Sequence, residues 1–202
     1  VICIIHGGHE YYHLPSPRMQ KQYRFYVDNG ADVIVGHHTH CISGYEVYNN
    51  VPIIYSLGNF LFTKQSNHNS WYKGIVIKLA IEKNITFSLF MISQDIKSYI
   101  IDIEYNKKNN YTNNFINEIN GIIDNPEILT EKWNNYINSK QKVYINYLSP
   151  VNGLHNKYLR ALFQKIGLKF ISLQYLLYLT NIIRCQAHRD LLENTLKKSI
   201  SK

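Results

Sequence analysis

Two short apolar runs, each followed by glycine and histidine, constrain the fold of this chain more than any other feature of its sequence. Val1–Ile5 precedes His6-Gly7-Gly8-His9, and Val33–Val35 precedes Gly36-His37-His38-Thr39-His40. Continuous aliphatic runs of this length predict strands buried on both faces, and Gly36 predicts a sharp exit from the second strand. Histidine is the commonest side-chain metal ligand near neutral pH. We therefore predict an open α/β sheet with a metal site beyond the carboxyl ends of its strands.

The segment between the two runs predicts a crossover helix. Pro17 stands near the first turn, Arg18–Asp28 has helical periodicity, and Asn29-Gly30 is a typical C-terminal stop. A strand, a helix and a second strand in succession imply a parallel pair joined by a right-handed crossover.

The remainder of the chain predicts antiparallel strands followed by helices. Tyr45–Tyr48 and Pro52–Tyr55, joined by Asn49-Asn50, predict a hairpin. Further strands are predicted at Lys73–Glu82, Thr86–Ile92 and Ser98–Glu104, and helices at Asn114–Ile123, Pro126–Ser139, Asn156–Lys165 and about Lys169–Lys198. We place a sheet-containing domain at residues 1–104 and a helical carboxyl-terminal extension at residues 105–202.

The histidines predict ligands for divalent ions. His38 and His40 form an H-x-H pair, and in extended backbone both rings project to one face. His6 would supply a third nitrogen. Imidazole suits Mn, Fe or Zn, and a bridged pair of such ions holds a nucleophilic water and clamps a phosphoryl or similar oxygen centre. Two other polar groups follow predicted strands, Ser43–Glu46 and Gly58-Asn59.

The order and spacing of these motifs resemble a known family. The motifs are His6-Gly-Gly-His-Glu10-Tyr11, Asn29–His40, Tyr45–Tyr48 and Pro52–Phe60. They are similar to the CapA-like family of bacterial capsule and poly-gamma-glutamate synthesis proteins, within the calcineurin-like metallophosphoesterase superfamily.

The resemblance covers residues 1 to about 92 and implies a fold and a site. The fold would be the carboxyl half of a four-layer αββα sandwich, with two divalent ions (Mn, Fe or Zn) at the strand ends. His6, His38 and His40 match metal ligands of the family, and Glu10 and Asn59 match motif positions at its site. The chain departs from the family in two respects. Gly7 stands where the family usually has an aromatic residue, and the family's first ligands, in an early Gly-Asp motif and an Asn-His motif, are not in this chain. We therefore expect the chain to be the carboxyl portion of a longer protein.

Several of these residues have alternative interpretations. His37 is a metal ligand, or it orients a ligand or a substrate oxygen. Glu10 is an acid–base group or a surface carboxylate, and Asn59 is a site residue or a turn amide. We expect His9 to face solvent and Cys41 to be a small buried residue rather than a ligand. For His38 and His40, the alternative to metal ligation is a structural role in which their rings form hydrogen bonds.

The net charge and the composition of the chain limit the kinds of partner that it can have. The 202-residue chain has a net charge of +8, which favours an anionic polymer or a phosphorylated substrate. It has no aromatic-interleaved basic motif, so we expect no specific nucleic-acid partner.

The three cysteines are far apart and odd in number, which argues against a disulfide framework. No apolar run is long enough for a transmembrane helix and no signal peptide is recognisable, although the tyrosine-rich tail permits peripheral membrane association. We expect a bacterial protein of the cell envelope or cytoplasm.

Two functions are compatible with these features. The first is a metal-dependent hydrolase-like protein of capsule or cell-envelope polymer synthesis, acting on poly-gamma-glutamate or polysaccharide, in which metal-activated water attacks a phosphoryl or acyl centre. The second is a non-catalytic scaffold or binding protein, truncated or degenerate, that retains part of the fold.

Overall fold

The computed structural model describes residues 1–83, 85–103, 110–147, 156–167 and 172–184. The chain forms two compact units, Val1–Asn135 and Tyr136–Lys202. The first contains two β-sheets together with helices, so the predicted mixed α/β class is confirmed.

The first sheet carries the histidine-bearing strands. Its strands are β1 (Ile2–His6), β2 (Val33–His37), β3 (Tyr45–Tyr48) and β4 (Val51–Ile54), in the order β1-β2-β4-β3. β1, β2 and β4 are parallel neighbours, and β3 is antiparallel to β4. The predicted hairpin is confirmed, because Asn49 and Asn50 adopt φ values of 50° and 62° in the turn between β3 and β4.

Helix α1 (Pro17–Asp28) connects β1 to β2, as the sequence predicts. Ser16 caps its first turn by accepting a hydrogen bond from the Met19 amide at 3.1 Å, and Pro17 occupies the first helical position. The helix ends at Asp28 with Asn29 as its C-cap, followed by Gly30 at φ 98°. Its buried face packs on the sheet in a core that includes Met19, Tyr23, Val27, Ile34, Ile53 and Tyr55.

A buried carboxylate ties α1 to the hairpin. Glu46 is 6% exposed, and its carboxylate accepts hydrogen bonds from Arg24 Nε at 3.1 Å and from the Tyr55 hydroxyl at 2.5 Å. Burial and the adjacent carboxylate raise the pKa of Tyr55, which keeps its hydroxyl a donor. Although Glu46 belongs to one of the polar groups that the sequence analysis noted at a strand end, its hydrogen bonds join α1 to the hairpin.

Two predictions about strands are wrong. β1 is not buried on both faces, because Ile2 and Ile4 are 43% and 81% exposed. Among the described residues β1 is an edge strand, and only its other face, with Cys3 and Ile5, packs against the core. Nor does Gly36 end its strand. β2 continues to His37, and a Cβ at position 36 would lie 2.2 Å from the Tyr55 carbonyl oxygen, so glycine permits the close approach of β4.

The second sheet and the helices follow in the predicted order. The sheet contains β5 (Lys73–Ile81), β6 (Ile85–Gln94) and β7 (Ile101–Ile103), all antiparallel, after a short 3₁₀ helix at Asn69–Tyr72. The helices are α2 (Asn110–Ile123), α3 (Pro126–Tyr147), α4 (Lys157–Gly167) and α5 (Leu173–Arg184). The predicted helix at Lys169–Lys198 is confirmed over α5, which Ser172 precedes, and the other predicted residues lie outside the described ranges.

Helix α2 completes the core of the first unit. Ile119 and Ile123 join the cluster formed by α1 and the first sheet, and Asn120 Oδ1 accepts a hydrogen bond from the Tyr45 amide at 2.8 Å. The compact unit thus extends beyond residue 104 to Asn135. The predicted domain boundary at residue 104 stays a prediction.

The helices of the second unit expose many apolar side chains. They include Tyr158, Leu162, Leu173, Leu177, Tyr178 and Ile183. In the described part of the chain, none of the helices has the length and hydropathy needed to cross a bilayer.

Candidate functional site

Three histidines meet at the carboxyl ends of β1 and β2. The two strands are parallel and in register, so His6 lies directly beside His37, and His38 follows at once. The ring centroids of His6 and His37 are 5.9 Å apart, and those of His6 and His38 are 4.6 Å apart. The sheet edge therefore gathers side chains that are 32 residues apart in sequence, as expected for parallel strands.

The contact between His6 and His38 has the spacing of two metal ligands. His6 Nε2 lies 2.9 Å from His38 Nδ1. Two imidazole nitrogens bound to one ion at about 2.1 Å, and at roughly 90° to each other, would be about 3 Å apart. In the absence of an ion, a single proton shared between the two nitrogens satisfies the same geometry. These two rings fit neighbouring positions of a divalent ion.

The H-x-H pair is not extended, so the reason given for its convergence is wrong. β2 ends at His37, and His38 and His40 have φ values of 119° and 55°. Left-handed backbone is costly for residues other than glycine and marks positions that the surrounding structure holds in place. The two rings are nonetheless close, with centroids 6.2 Å apart.

Thr39 holds this loop from inside. Its side chain is buried and its hydroxyl lies 2.8 Å from both the Cys41 carbonyl oxygen and Ser56 Oγ. Its own carbonyl accepts a hydrogen bond from the Tyr11 amide at 2.7 Å. The loop after β2 is thereby joined to the loop after β1, which fixes the two histidine groups relative to each other.

Asn59 determines which nitrogen of His40 is available. The Asn59 amide is 3% exposed, and its Nδ2 donates to the Trp71 carbonyl oxygen at 2.9 Å. A carbonyl can only accept, so Asn59 Oδ1 must face the other way, where it lies 2.9 Å from His40 Nδ1. His40 Nδ1 therefore carries a proton, and the lone pair of its neutral ring is on Nε2. Holding a ligating imidazole by its second nitrogen is the usual arrangement at metal sites.

His37 is arranged as a donor rather than as a ligand. Its Nδ1 accepts a hydrogen bond from the His38 backbone amide at 2.6 Å, so in the neutral ring the proton is on Nε2. Burial lowers the pKa of His37, and positive charge on His6, His40 and His38 lowers it further. A neutral ring with an Nε2–H group can donate to a substrate oxygen, whereas it has no free lone pair for a metal ion.

The other residues discussed in the sequence analysis, Glu10, His9 and Cys41, lie around the histidine cluster rather than within it. Glu10 is exposed on the loop after β1. His9 does not face solvent as predicted, because its ring contacts Trp133 of α3 with centroids 4.8 Å apart. Burial and positive charge on His38 lower the pKa of His9. Cys41 is fully buried, as predicted for a small buried residue, and burial raises the pKa of its thiol to about 11.

Aromatic side chains enclose His40, and the sequence analysis singled out neither Trp71 nor Phe62 among them. Trp71 lies 4.8 Å from the His40 ring between centroids, and Phe62 meets that ring edge-on at 5.3 Å. Tyr11 lies 6.2 Å away. Such a wall limits water around His40 and restricts the directions in which its ring can turn. The polar loop that separates Phe62 from Trp71 concealed their proximity in the sequence.

The histidines do not by themselves complete a metal site. Among the described residues, no three His, Cys, Asp or Glu side chains converge in a way suited to one metal ion. His6 and His38 form a ligand-like pair, and His40 presents a lone pair nearby without sharing the same centre. A full coordination shell requires further donors.

Comparisons with known proteins match the part of the chain that holds these residues. Residues 1–64 match the family described as bacterial capsule synthesis protein PGA_cap. Over 62 residues the chain is 48% identical to the "Capsule biosynthesis protein CapA" of Bacillus anthracis and 48% identical to the "PGA biosynthesis protein CapA" of Bacillus subtilis (strain 168). An uncharacterized protein of Sinorhizobium fredii is 46% identical over 48 residues. The stretch shared with the two Bacillus proteins spans 31% of this chain but only 15% and 16% of their lengths.

Proposed function

Because residues 1–64 are a CapA-like segment of the bacterial capsule synthesis family, we propose that the chain acts in cell-envelope polymer synthesis as part of a metal-dependent hydrolase. The observation that carries the proposal is the 2.9 Å contact between His6 Nε2 and His38 Nδ1 at the carboxyl ends of two parallel strands. It supports a metal site because its spacing is that of two neighbouring ligands.

The proposed ligands are His6, His38 and His40, and the ions are one or two of Mn, Fe or Zn. All three residues offer borderline imidazole nitrogen, which these ions accept. His40 would bind through Nε2, since Asn59 occupies its Nδ1. The remaining donors would come from outside the described residues. When bound, such an ion supplies Lewis acidity toward a phosphoryl or acyl oxygen.

The other site residues have roles that follow from their own hydrogen bonds. His37 would donate its Nε2 proton to the substrate oxygen that gains charge, and its lowered pKa keeps the ring neutral under ordinary conditions. Glu10, exposed at the rim, would exchange a proton with the leaving group or with solvent. Asn59 would keep the His40 ring in one tautomer and one orientation.

The proposed substrate is an anionic polymer of the cell envelope or a phosphorylated precursor of one. The net charge of +8 supports an anionic partner. The names of the relatives refer to capsule and to PGA, so poly-gamma-glutamate and capsular polysaccharide are the polymers to test.

Metal content provides the direct test. The purified chain and its His6→Ala, His38→Ala and His40→Ala variants should be analysed by elemental mass spectrometry after dialysis against limiting Zn²⁺ or Mn²⁺. We expect bound metal in the parent chain and its loss in His6→Ala, His38→Ala and His40→Ala. His13→Ala is the matched control, because His13 lies outside this cluster with its Nδ1 on the Ile42 carbonyl oxygen. Equal metal content in all variants would refute the site.

A binding or scaffold protein is the second candidate, because no three-ligand group is present among the described residues. Metal-loaded protein should be incubated with bis(p-nitrophenyl) phosphate, p-nitrophenyl phosphate and a γ-glutamyl anilide. Turnover that disappears in His38→Ala supports the hydrolase. Metal binding without turnover of any of these, combined with retention of capsular polymer in a pull-down, supports the scaffold.

A further inference from the structure

The net positive charge of the chain belongs to its second unit, Tyr136–Lys202. That unit holds eleven of the 22 lysines and arginines but only two of the 14 aspartates and glutamates, so it carries +9 and the first unit carries −1. The stretch from Tyr136 to Arg189 contains eight lysines or arginines and no aspartate or glutamate. A long stretch of one sign attracts an anionic surface.

Helix α4 exposes its apolar side. The helix begins after Asn156, whose Oδ1 accepts hydrogen bonds from the Tyr158 and Leu159 amides at 2.9 and 3.2 Å. Four apolar residues recur with the spacing of a single helix face. They are Tyr158, Leu159, Leu162 and Ile166, which are 74%, 46%, 53% and 37% exposed. Contiguous exposed apolar side chains of this kind mark a surface that binds a partner.

Cations lie beside this apolar face of α4 rather than within it. Lys157 and Ala161 are exposed and fall on the other side of the helix, and Lys165 falls at the border between the two sides. The Lys157 ammonium lies 5.1 Å from the centre of the Tyr158 ring. Lysines so placed can keep their charge in water while the apolar face is buried. A helix with this division of side chains lies in the plane of a membrane interface.

Helix α5 adds apolar surface without adding negative charge. Ser172 Oγ accepts a hydrogen bond from the Tyr175 amide at 3.1 Å in the first turn, and the only charged residue of the helix is Arg184 in the last turn. Tyrosine suits the boundary between hydrocarbon and water, because its ring is apolar and its hydroxyl is polar. The exposed apolar side chains of α5 include Leu173, Leu177, Tyr178 and Ile183.

We propose that the apolar face of α4 and the exposed apolar side chains of α5 bind the surface of a membrane that contains anionic phospholipid. The positive charge of the unit favours such a surface over a zwitterionic one. The exposed aliphatic side chains favour it over a hydrophilic anionic polymer, which offers no hydrocarbon in which to bury them. This attachment is independent of the proposed hydrolase, because it requires neither a metal ion nor any residue of the histidine cluster.

Flotation of the full chain with lipid vesicles provides the test. The chain should be incubated in EDTA with vesicles of phosphatidylcholine mixed with phosphatidylglycerol, and the mixture centrifuged through a sucrose gradient. We expect the chain to float with these vesicles and to stay at the bottom with vesicles of phosphatidylcholine alone. The bound fraction should fall as salt is added, because salt screens the attraction between the cations and the lipid.

Paired variants of α4 separate its apolar face from its other side. Leu162→Gln should weaken vesicle binding about tenfold, because it removes an aliphatic side chain from the centre of the face. Ala161→Gln is the matched control, because it introduces the same side chain at an exposed position on the other side. Glutamine is a good helix former, so circular dichroism and urea unfolding of both variants should match the parent.

A second pair of variants tests the charge. Lys165→Gln should weaken binding to the anionic vesicles about fivefold, as expected for one cation near the lipid surface. Lys78→Gln removes an equal charge from an exposed position of the first unit and should bind as the parent does.

Four results would overturn the proposal. The first is the absence of flotation with the anionic vesicles, and the second is equal flotation with phosphatidylcholine alone. The third is an equal loss of binding in Leu162→Gln and Ala161→Gln. The fourth is a different occupant of the face, shown by a dimer that Leu162→Gln dissociates in analytical ultracentrifugation, or by binding of free poly-gamma-glutamate that Leu162→Gln abolishes.

Discussion

Asn59→Ala should weaken metal binding by removing the group that orients His40. In the structure, Asn59 Oδ1 is 2.9 Å from His40 Nδ1, and Asn59 Nδ2 is 2.9 Å from the Trp71 carbonyl oxygen. With alanine the His40 ring loses its anchor and can present either nitrogen. Loss of a group that orients a ligand usually weakens metal binding about 10–100-fold, equivalent to roughly 1.4–2.7 kcal/mol.

The same substitution also destabilises the fold, and the assay must separate the two effects. Asn59 is 3% exposed, so truncation leaves the buried Trp71 carbonyl without its donor, at a cost of about 1–3 kcal/mol. Gln94→Ala is a matched control. Gln94 is 7% exposed and forms hydrogen bonds of 2.9 and 2.7 Å with the backbone of Phe62, and among the described residues it forms no hydrogen bond with a histidine.

Isothermal titration with Zn²⁺ or Mn²⁺ and urea unfolding should be measured on the parent chain and both variants. We expect similar losses of unfolding free energy in the two variants and a loss of metal affinity in Asn59→Ala alone. Equal metal affinity in Asn59→Ala and Gln94→Ala would refute the orienting role of Asn59.

Three further predictions concern the fold and the surroundings of the site. Arg24→Met should lower the free energy of unfolding by about 2–3 kcal/mol, because it leaves the buried Glu46 carboxylate without its cation. This value is reduced because the Arg24 side chain is one third exposed. In urea unfolding, the control Arg18→Met on the same helix should lower the free energy of unfolding by less than about 0.5 kcal/mol. Gly36→Ala should lower the melting temperature sharply, since its Cβ would lie 2.2 Å from a backbone oxygen; a melting temperature within a degree of the parent would contradict the close packing of β2 and β4. Binding of Co²⁺, an open-shell ion, should quench Trp71, since its ring lies 4.8 Å from that of His40 between centroids; the quenching should persist in Trp133→Phe and be lost in Trp71→Phe.

Short sequence signals correctly predicted the ends of α1, the hairpin turn and the meeting of the histidines. Pro17 and Asn29-Gly30 mark the ends of α1 because each acts on backbone within one turn of itself. Asn49-Asn50 predicted the hairpin because asparagine tolerates the left-handed conformation that both residues adopt. The histidines were found because parallel strands bring their carboxyl ends together, whatever the length of the crossover between them.

Contacts between distant segments could not be predicted in this way. His37 appeared equivalent to its neighbours in the sequence, and only its bond from the His38 amide shows that its lone pair is occupied. Trp133 lies in a helix far along the chain, and no local pattern connects it to His9. Glu46 occupies a strand position near the site in sequence, but the alternation of β3 turns its side chain to the opposite face, toward Arg24.

The free edge of β1 has a consequence for how the site can acquire its remaining donors. Among the described residues β1 pairs with β2 alone, so its other row of amide and carbonyl groups is open to a further strand. A strand added there in parallel would run about 4.8 Å from β1, and its last residue would lie beside His6. His6 and His37 lie side by side at the carboxyl ends of β1 and β2. Each strand added at the free edge of β1 would place one more side chain next to His6, where it could serve as a further metal donor.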